Sequence, residues 1–334
     1  MTSRFYLRLV GATLMSLGFL YVAFKDIDGR ALWAALRGVN LMGVALYLMA
    51  LCATQVTRAA RWGMLVKPFA PLSGRQIWKV SNFGNMLIML LPLRLGELGR
   101  PYMMRKLCGA PMSAGMGAAV VERALDGLWV TLMFFAVTWA QRGTTQISDG
   151  LQAGAELALA VFLGTVVVLI AAVRAGPRLH ALVDHTVGRV SKEAAARITH
   201  ILQAFIVGLG AVPDVRTFLG VVGWTLAYWI ANALGLYALM VAFDCNLPPI
   251  AGFTVVCVLV IGVMIPAGPG LLGTYQAAIM AGLSIYQVDK NVSAALSVVA
   301  YLGNLGVIVG FGLPYLMHAK GFSLKSYTEA TSTQ

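Results

Sequence analysis

The stretch Pro266-Ala-Gly-Pro-Gly-Leu-Leu-Gly273 separates two medium apolar runs, 250–265 and 271–285. A second stretch, Pro92-Leu-Arg-Leu-Gly-Glu-Leu-Gly99, follows the apolar run 80–91 and precedes a helix-like segment. Both spell P-x-x-x-G-x-L-G. A helix needs about 20 apolar residues to cross about 30 Å of hydrocarbon, and each of these runs falls short. Short apolar runs broken by Gly and Pro point to re-entrant or discontinuous helices, and a matched pair of them is a mark of transporter repeats. Such octapeptides could recur by chance in a chain with 36 glycines. Here their context and orientation agree as well as their letters.

Composition supports a lipid setting. Of 334 residues, 59% are hydrophobic and only 11% charged, against about 25% charged in soluble proteins. There is too little charge to coat a globule of this size. A soluble enzyme, a disordered chain and a nucleic-acid binder of the usual kind are therefore excluded. The net charge of +12 fits basic loops that hold one membrane face and touch anionic headgroups. Cys52, Cys108, Cys245 and Cys257 are scattered, as are the four histidines. Neither a disulfide frame nor a metal site is expected, and no cofactor.

Six further apolar runs read as crossing helices: 9–24, 41–57, 116–140, 157–173, 218–243 and 292–317. The first follows Arg4 and Arg8 like a signal peptide, but it runs into Phe24-Lys25-Asp26 without a small-residue cleavage site, so a retained span is expected. With a cytoplasmic N-terminus, 19 Lys and Arg fall inside, 5 outside, and Arg123 lies within a helix. That bias orients the chain with both termini cytoplasmic. It requires the Pro92 hairpin to dip in from the inside and the Pro266 pair from the outside. The expected fold is an all-α polytopic membrane protein of about six crossing helices and two broken hairpins forming an inverted-topology repeat; the alternative is eight full transmembrane helices. Residues 1–320 form one transmembrane domain, with an amphipathic cytoplasmic segment over 176–210, and 321–334 a disordered tail.

The chemistry sits beside the first break. Of 13 acidic residues, only Glu97, Glu122 and Asp126 lie in or next to apolar helix or re-entrant sequence. Charge at that depth costs about 2.5–3.5 kcal/mol per residue on insertion scales and usually marks a pathway or a binding site. Glu122 and Asp126 share a helix face by i,i+4 spacing. Arg123 is placed to pair with Asp126, while Arg94 and Arg100 flank Glu97. Three arginines against three acids make a balanced cluster. It reads either as a salt-bridge network pinning the hairpin to the third span or as a grip on a lipid phosphate, which guanidinium pairs bidentately. Gly96, Gly99, Gly270 and Gly273 serve close backbone approach to a headgroup or tight helix packing. Arg58, Arg61 and Trp62 read as interface anchors at a span end, with a ligand role as the second choice. Asn82, Asn85, Tyr301 and Asn304 read first as interhelix glue. Trp224, Tyr228, Trp229 and Asn232 read as core or as a groove lining.

These motifs, Arg58-Ala-Ala-Arg61-Trp62, Asn85, Arg94-Leu-Gly96-Glu97-Leu-Gly-Arg100, Glu122-Arg123-Ala-Leu-Asp126 and Pro269-Gly270-Leu-Leu-Gly273-Thr-Tyr-Gln276, carry a resemblance over nearly the whole chain. It resembles the lysylphosphatidylglycerol synthase transmembrane (flippase-domain) family, the membrane half of the bacterial multiple peptide resistance factor. The R-x-G-E-x-x-R and E-R-x-x-D pair is specific to it, and P-G-x-x-G alone is weak. The resemblance implies a flippase in the cell inner membrane whose substrate-binding residues include Arg61, Asn85, Arg94, Gly96, Glu97, Gly99, Arg100, Glu122, Arg123, Asp126, Gly270, Gly273 and Gln276. Relatives often carry Glu where this chain has Gln276, so an acidic role does not transfer there. About 17 residues follow Met317, so a stand-alone member without the aminoacyl-transferase domain is expected.

The expected substrate is an anionic or aminoacylated phospholipid, or a polyprenyl-phosphate lipid. No Walker sequence, dinucleotide fingerprint, HExxH or nucleophile elbow is present, and arginines so close would hold the acids ionised. An enzyme is therefore not expected. The alternative is a non-transporting accessory or scaffold protein for a lipid-modifying or glycosyltransferase system. Expected partners are membrane lipids, with a homo-oligomer or a lipid-synthesis enzyme as a further possibility and nucleic acid excluded.

Overall fold

The computed structural model describes residues 3–91, 96–141, 214–264 and 268–318, with short pieces of 156–208. Arg94, Pro92 and Pro266, most of the amphipathic segment 176–210 and the tail 321–334 lie outside the described residues; of the expected span 157–173, the ten described residues are all helical. The fold is all-α. The helices are α1 (Ser3–Phe24), α2 (Gly29–Arg37), α3 (Leu41–Val66), α4 (Gly74–Leu90), α5 (Gly99–Cys108), α6 (Met112–Ala140), α7 (Val215–Ala242), α8 (Ile250–Met264), α9 (Thr274–Ser284) and α10 (Lys290–His318). No strand occurs among the described residues.

Helices α3, α7 and α10 are each long and apolar enough to cross a membrane. At 29 residues, α6 spans about 44 Å at 1.5 Å per residue, charges included. Five of the six expected crossing runs thus form helices. The longer ones turn apolar side chains outward: Leu41 is 77% exposed and Leu219 62%. That surface suits lipid rather than water.

Two short pairs, α4–α5 and α8–α9, form the broken hairpins. Their arms of 17, 10, 15 and 11 residues are too short to span singly with ease. Every residue from Val80 to Leu87 of α4 is buried. A helix buried on all sides belongs inside the protein, so the hairpins are wrapped by the longer helices. The capping box of Ser73 and Gln76 starts α4, six residues before the apolar run.

The hairpins enter from opposite faces. At one face, Asn40 N–H donates to Ala242 O (2.9 Å) and Asp28 N–H to Asn291 Oδ1 (2.9 Å). A ring of three side chains closes the same face: Gln141 Nε2 donates to Thr254 Oγ1 (3.0 Å), Tyr286 OH donates to Gln141 Oε1 (2.7 Å), and the Thr254 and Tyr286 hydroxyls lie 2.6 Å apart. These contacts gather the starts of α3, α8 and α10 with the ends of α6, α7 and α9. The joints 67–73 and 109–111 lie at the other face, since α3 and α6 each cross between. Hairpin α4–α5 starts and ends there, and α8–α9 starts and ends at the first face.

The two breaks meet inside. A Cβ on Gly270 would lie 2.9 Å from Tyr301 Oη and 4.0 Å from Met89 O at the end of α4. Gly270 and Gly273 have φ of +76° and +85°, a backbone that suits glycine. The glycines of the first break serve packing. A Cβ on Gly96 would lie 2.1 Å from Leu87 O and 2.2 Å from Ile88 N, and one on Gly99 2.7 Å from Leu87 Cδ1. The space proposed for a headgroup beside Gly96 and Gly99 is filled by α4.

Candidate functional site

Four helices bring the site together: α3 carries Arg58, Arg61 and Trp62; α5 carries Arg100; α6 carries Glu122, Arg123 and Asp126; α7 carries Thr225, Tyr228 and Trp229. The sequence ends the second span near Thr57, but α3 continues to Val66. That extension turns the expected interface anchors inward. Trp62 is 0% exposed and Arg61 2%, so the anchor reading of these two is overturned.

Arg61 is the centre of a buried quartet. Its Nη2 donates to Glu122 Oε1 (2.6 Å) and Asp126 Oδ2 (3.1 Å); its Nη1 donates to Asp126 Oδ1 (2.5 Å) and Thr225 Oγ1 (3.3 Å). Arg100 Nη1 donates to Glu122 Oε2 (2.7 Å), and Trp229 Nε1 donates to Asp126 Oδ1 (3.2 Å). Every carboxylate oxygen of the two acids therefore accepts a charge-assisted or indole hydrogen bond. Two arginines and two acids cancel, which is how a dry interior carries charge at all. Arg100 also lies over the Trp62 ring at 4.2 Å. Gly84 of α4 makes room for it, since a Cβ there would lie 2.2 Å from Arg100 Cγ. The hairpin is thereby pinned to α3 and α6.

Two expected pairings are not the ones formed. Asp126 pairs with Arg61 rather than with Arg123, and Arg100 turns to Glu122 rather than to Glu97. Arg123, one residue along α6 from Glu122, points off the quartet's face and is exposed. Among the described residues, no carboxylate lies within ion-pair distance of it. The acids whose charge acts on it are first Glu122 and Asp126 of its own helix and then Glu97 of the first hairpin. Its side chain thus leaves the buried face that Glu122 and Asp126 occupy. Its Cα is 11 residues from the start of the helix, about 17 Å along the axis.

Tyr228 is the second hub. Arg58 Nη2 donates to its hydroxyl (2.6 Å), and the Arg58 and Arg61 guanidinium carbons lie 4.9 and 5.5 Å from its ring centroid, within cation–π range. Around these groups Arg61 Nε, Arg100 Nε and Trp62 Nε1 are buried with no partner. The roles of Tyr228, Trp229 and Thr225 in a charged site were not legible in the sequence; their spacing at i, i+3, i+4 was the available signal.

The remaining expected residues lie elsewhere. Asn85 Nδ2 donates to Gln55 Oε1 (3.4 Å), joining α4 to α3. Gln276 Oε1 caps the Gly273 N–H (2.7 Å), and Ser16 Oγ of α1 accepts from Gly268 N–H (2.7 Å). The second break is therefore satisfied within the protein, and Gly270, Gly273 and Gln276 serve its geometry. No group of three metal-ligating His, Cys, Asp or Glu side chains occurs among the described residues.

Fold and site together define a polytopic α-helical membrane protein with a charged cluster held between a broken hairpin and its crossing helices. The chain belongs to the lysylphosphatidylglycerol synthase transmembrane family: the model of that family's TM region matches residues 8–312. No curated protein and no solved structure matches the chain.

Proposed function

We propose that the protein moves a phosphate-bearing lipid between the leaflets of a cell inner membrane, as a transporter rather than an enzyme. The observation that carries this is Arg123, an exposed guanidinium within a crossing helix, without a carboxylate in ion-pair range, beside buried donors that lack acceptors. Uncompensated charge at bilayer depth is costly and is kept where a ligand or pathway needs it. A phosphate oxygen is the matching acceptor for guanidinium. The lipid's headgroup would reach the exposed Arg123 on α6 while its tails stay in the bilayer.

Arg100 and Arg61 serve this site by holding the hairpin, α3 and α6 as one body. The second hairpin is bound instead to α1 through Ser16. Movement of one body against the other would take place where Gly270 meets Met89 and Tyr301. For orientation, the face bearing the 67–73 and 109–111 joints carries Lys67, Arg75, Lys79, Arg105, Lys106 and Arg216 with Asp214. The other carries Lys25, Arg30, Arg37 and Lys290 with Asp26, Asp28, Asp244 and Asp289. The first is the cytoplasmic face by the positive-inside bias, which puts both termini in the cytoplasm.

The test is lipid flipping in liposomes at matched protein levels. Arg123→Gln removes a charge-assisted contact worth about 1.5–3 kcal/mol, or about 10–150-fold, and should slow flipping by at least tenfold while the protein still folds. Arg30→Ala, on the exposed helix α2, should leave the rate unchanged. Wild-type protein that binds lipid but does not accelerate flipping would make it an accessory protein instead.

A further inference from the structure

We infer that Tyr301 and Asn304 of α10 form a second lipid-binding station, uncharged and at mid-membrane, which takes a neutral oxygen of the lipid, a headgroup hydroxyl or an ester carbonyl. The inference rests on the reading that the protein binds a lipid, and it stands or falls separately from Arg123 and from transport. Three observations carry it.

The first is position. Helix α10 has 29 residues, about 44 Å at 1.5 Å per residue. Tyr301 and Asn304 stand about 17 and 21 Å from its start, near its middle and one turn apart on one face. A Cβ on Gly270 of the second break would lie 2.9 Å from Tyr301 Oη and 4.0 Å from Met89 O, at the end of α4 in the first hairpin. The hydroxyl therefore stands where the two breaks meet, and the glycine leaves the space in front of it free. Transporters built from broken helices hold their cargo at this depth.

The second is that neither residue serves as glue and neither is sealed. Among the described residues, the Tyr301 hydroxyl and the Asn304 amide make no hydrogen bond; the Tyr301 ring meets the Tyr275 ring edge-on at 5.7 Å. Ser297, Ala300, Tyr301 and Ile308, at most 8% exposed, form a buried stripe along α10, while Leu302 (57%) and Leu313 (43%) face outward. Asn304 lies within that stripe, four residues from Ala300 and four from Ile308, yet it is partly exposed. The packing thus leaves space at an inward-facing amide. Tyr301 Oη is likewise not shut in, as the unpartnered Trp62 Nε1 is. Unpaired polar groups at this depth are costly and mark a site.

The third is chemistry. Helices α8 and α9 carry no Asp, Glu, Lys or Arg, and α10 carries only Lys290, at its start. A tyrosine hydroxyl donates and accepts, and an asparagine amide offers two donors and an acceptor. Without a charged partner they match a hydroxyl or a carbonyl oxygen, whereas a phosphate or an ammonium would stay unbalanced in a dry site.

The experiment is photolabelling of the full-length protein in liposomes by a phosphatidylglycerol analogue with a diazirine on its headgroup, the labelled peptides being mapped by mass spectrometry. The headgroup of a resting lipid stays about 15 Å from the midplane, so label at residues 301–304 reports a headgroup taken inside. Wild type is expected to carry label there. Each neutral hydrogen bond is worth roughly two- to tenfold, so Tyr301→Phe combined with Asn304→Leu should cut that label at least fivefold. Thermal melting checks the fold; if the double variant does not fold, each single variant should cut the label about two- to tenfold. Unchanged label in the folded variants would overturn the inference. So would the absence of label at 301–304 in wild type, and if that protein flips lipid, transport stands without the station. Two unlabelled competitors identify the oxygen: phosphatidic acid lacks the headgroup hydroxyls, and ether-linked phosphatidylglycerol lacks the ester carbonyls. Competition by the ether lipid alone assigns the hydroxyl, by phosphatidic acid alone the ester carbonyl, and by neither both groups together. Equal competition by the two would put the phosphate here and overturn the neutral assignment. Label that depends on Tyr301 and Asn304 without flipping in the same liposomes would refute transport and leave the station standing.

Discussion

Replacing Glu122 by Gln tests whether the quartet holds the first hairpin in place. The substitution keeps the shape of the side chain and removes one charge. Glu122 bridges two arginines, Arg61 at 2.6 Å and Arg100 at 2.7 Å, and all three side chains are at most 4% exposed. The variant leaves two buried guanidinium groups with only Asp126 to balance them. Removing one partner of a buried pair costs about 3–5 kcal/mol because the remaining charge stays in a dry site. At about 2–4 °C per kcal/mol, the slope for domains of 150–250 residues, the thermal midpoint should fall by about 6–20 °C. Arg100→Gln in the same chain restores neutrality, with Arg61 against Asp126. The double variant should regain at least half the loss, a coupling of about 1.5 kcal/mol or more. The assay is thermal unfolding in detergent followed by size-exclusion chromatography, on wild type, both single variants and the double. Additive losses, or a Glu122→Gln midpoint equal to wild type, would refute the quartet as the hairpin's anchor.

Gly96→Ala should lower the melting midpoint sharply, because its Cβ would meet backbone atoms of Leu87 and Ile88 at 2.1 and 2.2 Å and overpacking costs about 1–3 kcal/mol or more. Gly306→Ala, with nothing within 4 Å of its Cβ and a place inside α10, should be neutral or gain up to about 1 kcal/mol in the same melting assay. For topology, single cysteines at Asp26 and Arg75, in a chain with the four native cysteines replaced by alanine, should label from opposite sides of intact cells. Asp26 should react from outside and Arg75 only after permeabilisation; the reverse pattern would invert the assignment.

How much was legible follows from what each feature depends on. The crossing helices α1, α3, α6, α7 and α10 were readable because their length is set by hydrocarbon thickness and their composition by lipid. The breaks were readable because Pro removes a donor and ends a helix, and because glycines at matched spacing mark close turns. Helix α2 was missed, although Asp28 is its N-cap and accepts from Arg30 N–H, since nine amphipathic residues between two spans look like any loop. The early start of α4 was missed for the same local reason, a Ser-x-x-Gln cap.

The pairing of charges lay beyond the sequence altogether. The residue types of the site, arginines and carboxylates beside one broken hairpin, came from composition and spacing along the chain. Which arginine meets which acid depends on side-chain direction across four helices, and sequence neighbours proved the wrong guide. Arg123 adjoins Glu122 in the chain yet leaves it to Arg61 and Arg100, which are 61 and 22 residues away. Successive residues on a helix point about 100° apart, so a neighbour in sequence faces a different part of the molecule. An ion pair forms only where packing brings two side chains within about 4 Å. The chain by itself therefore determined that charge would be kept in the membrane and where along the sequence. Tertiary packing decided which charges cancel in the dry interior and which one, Arg123, stays outside that quartet.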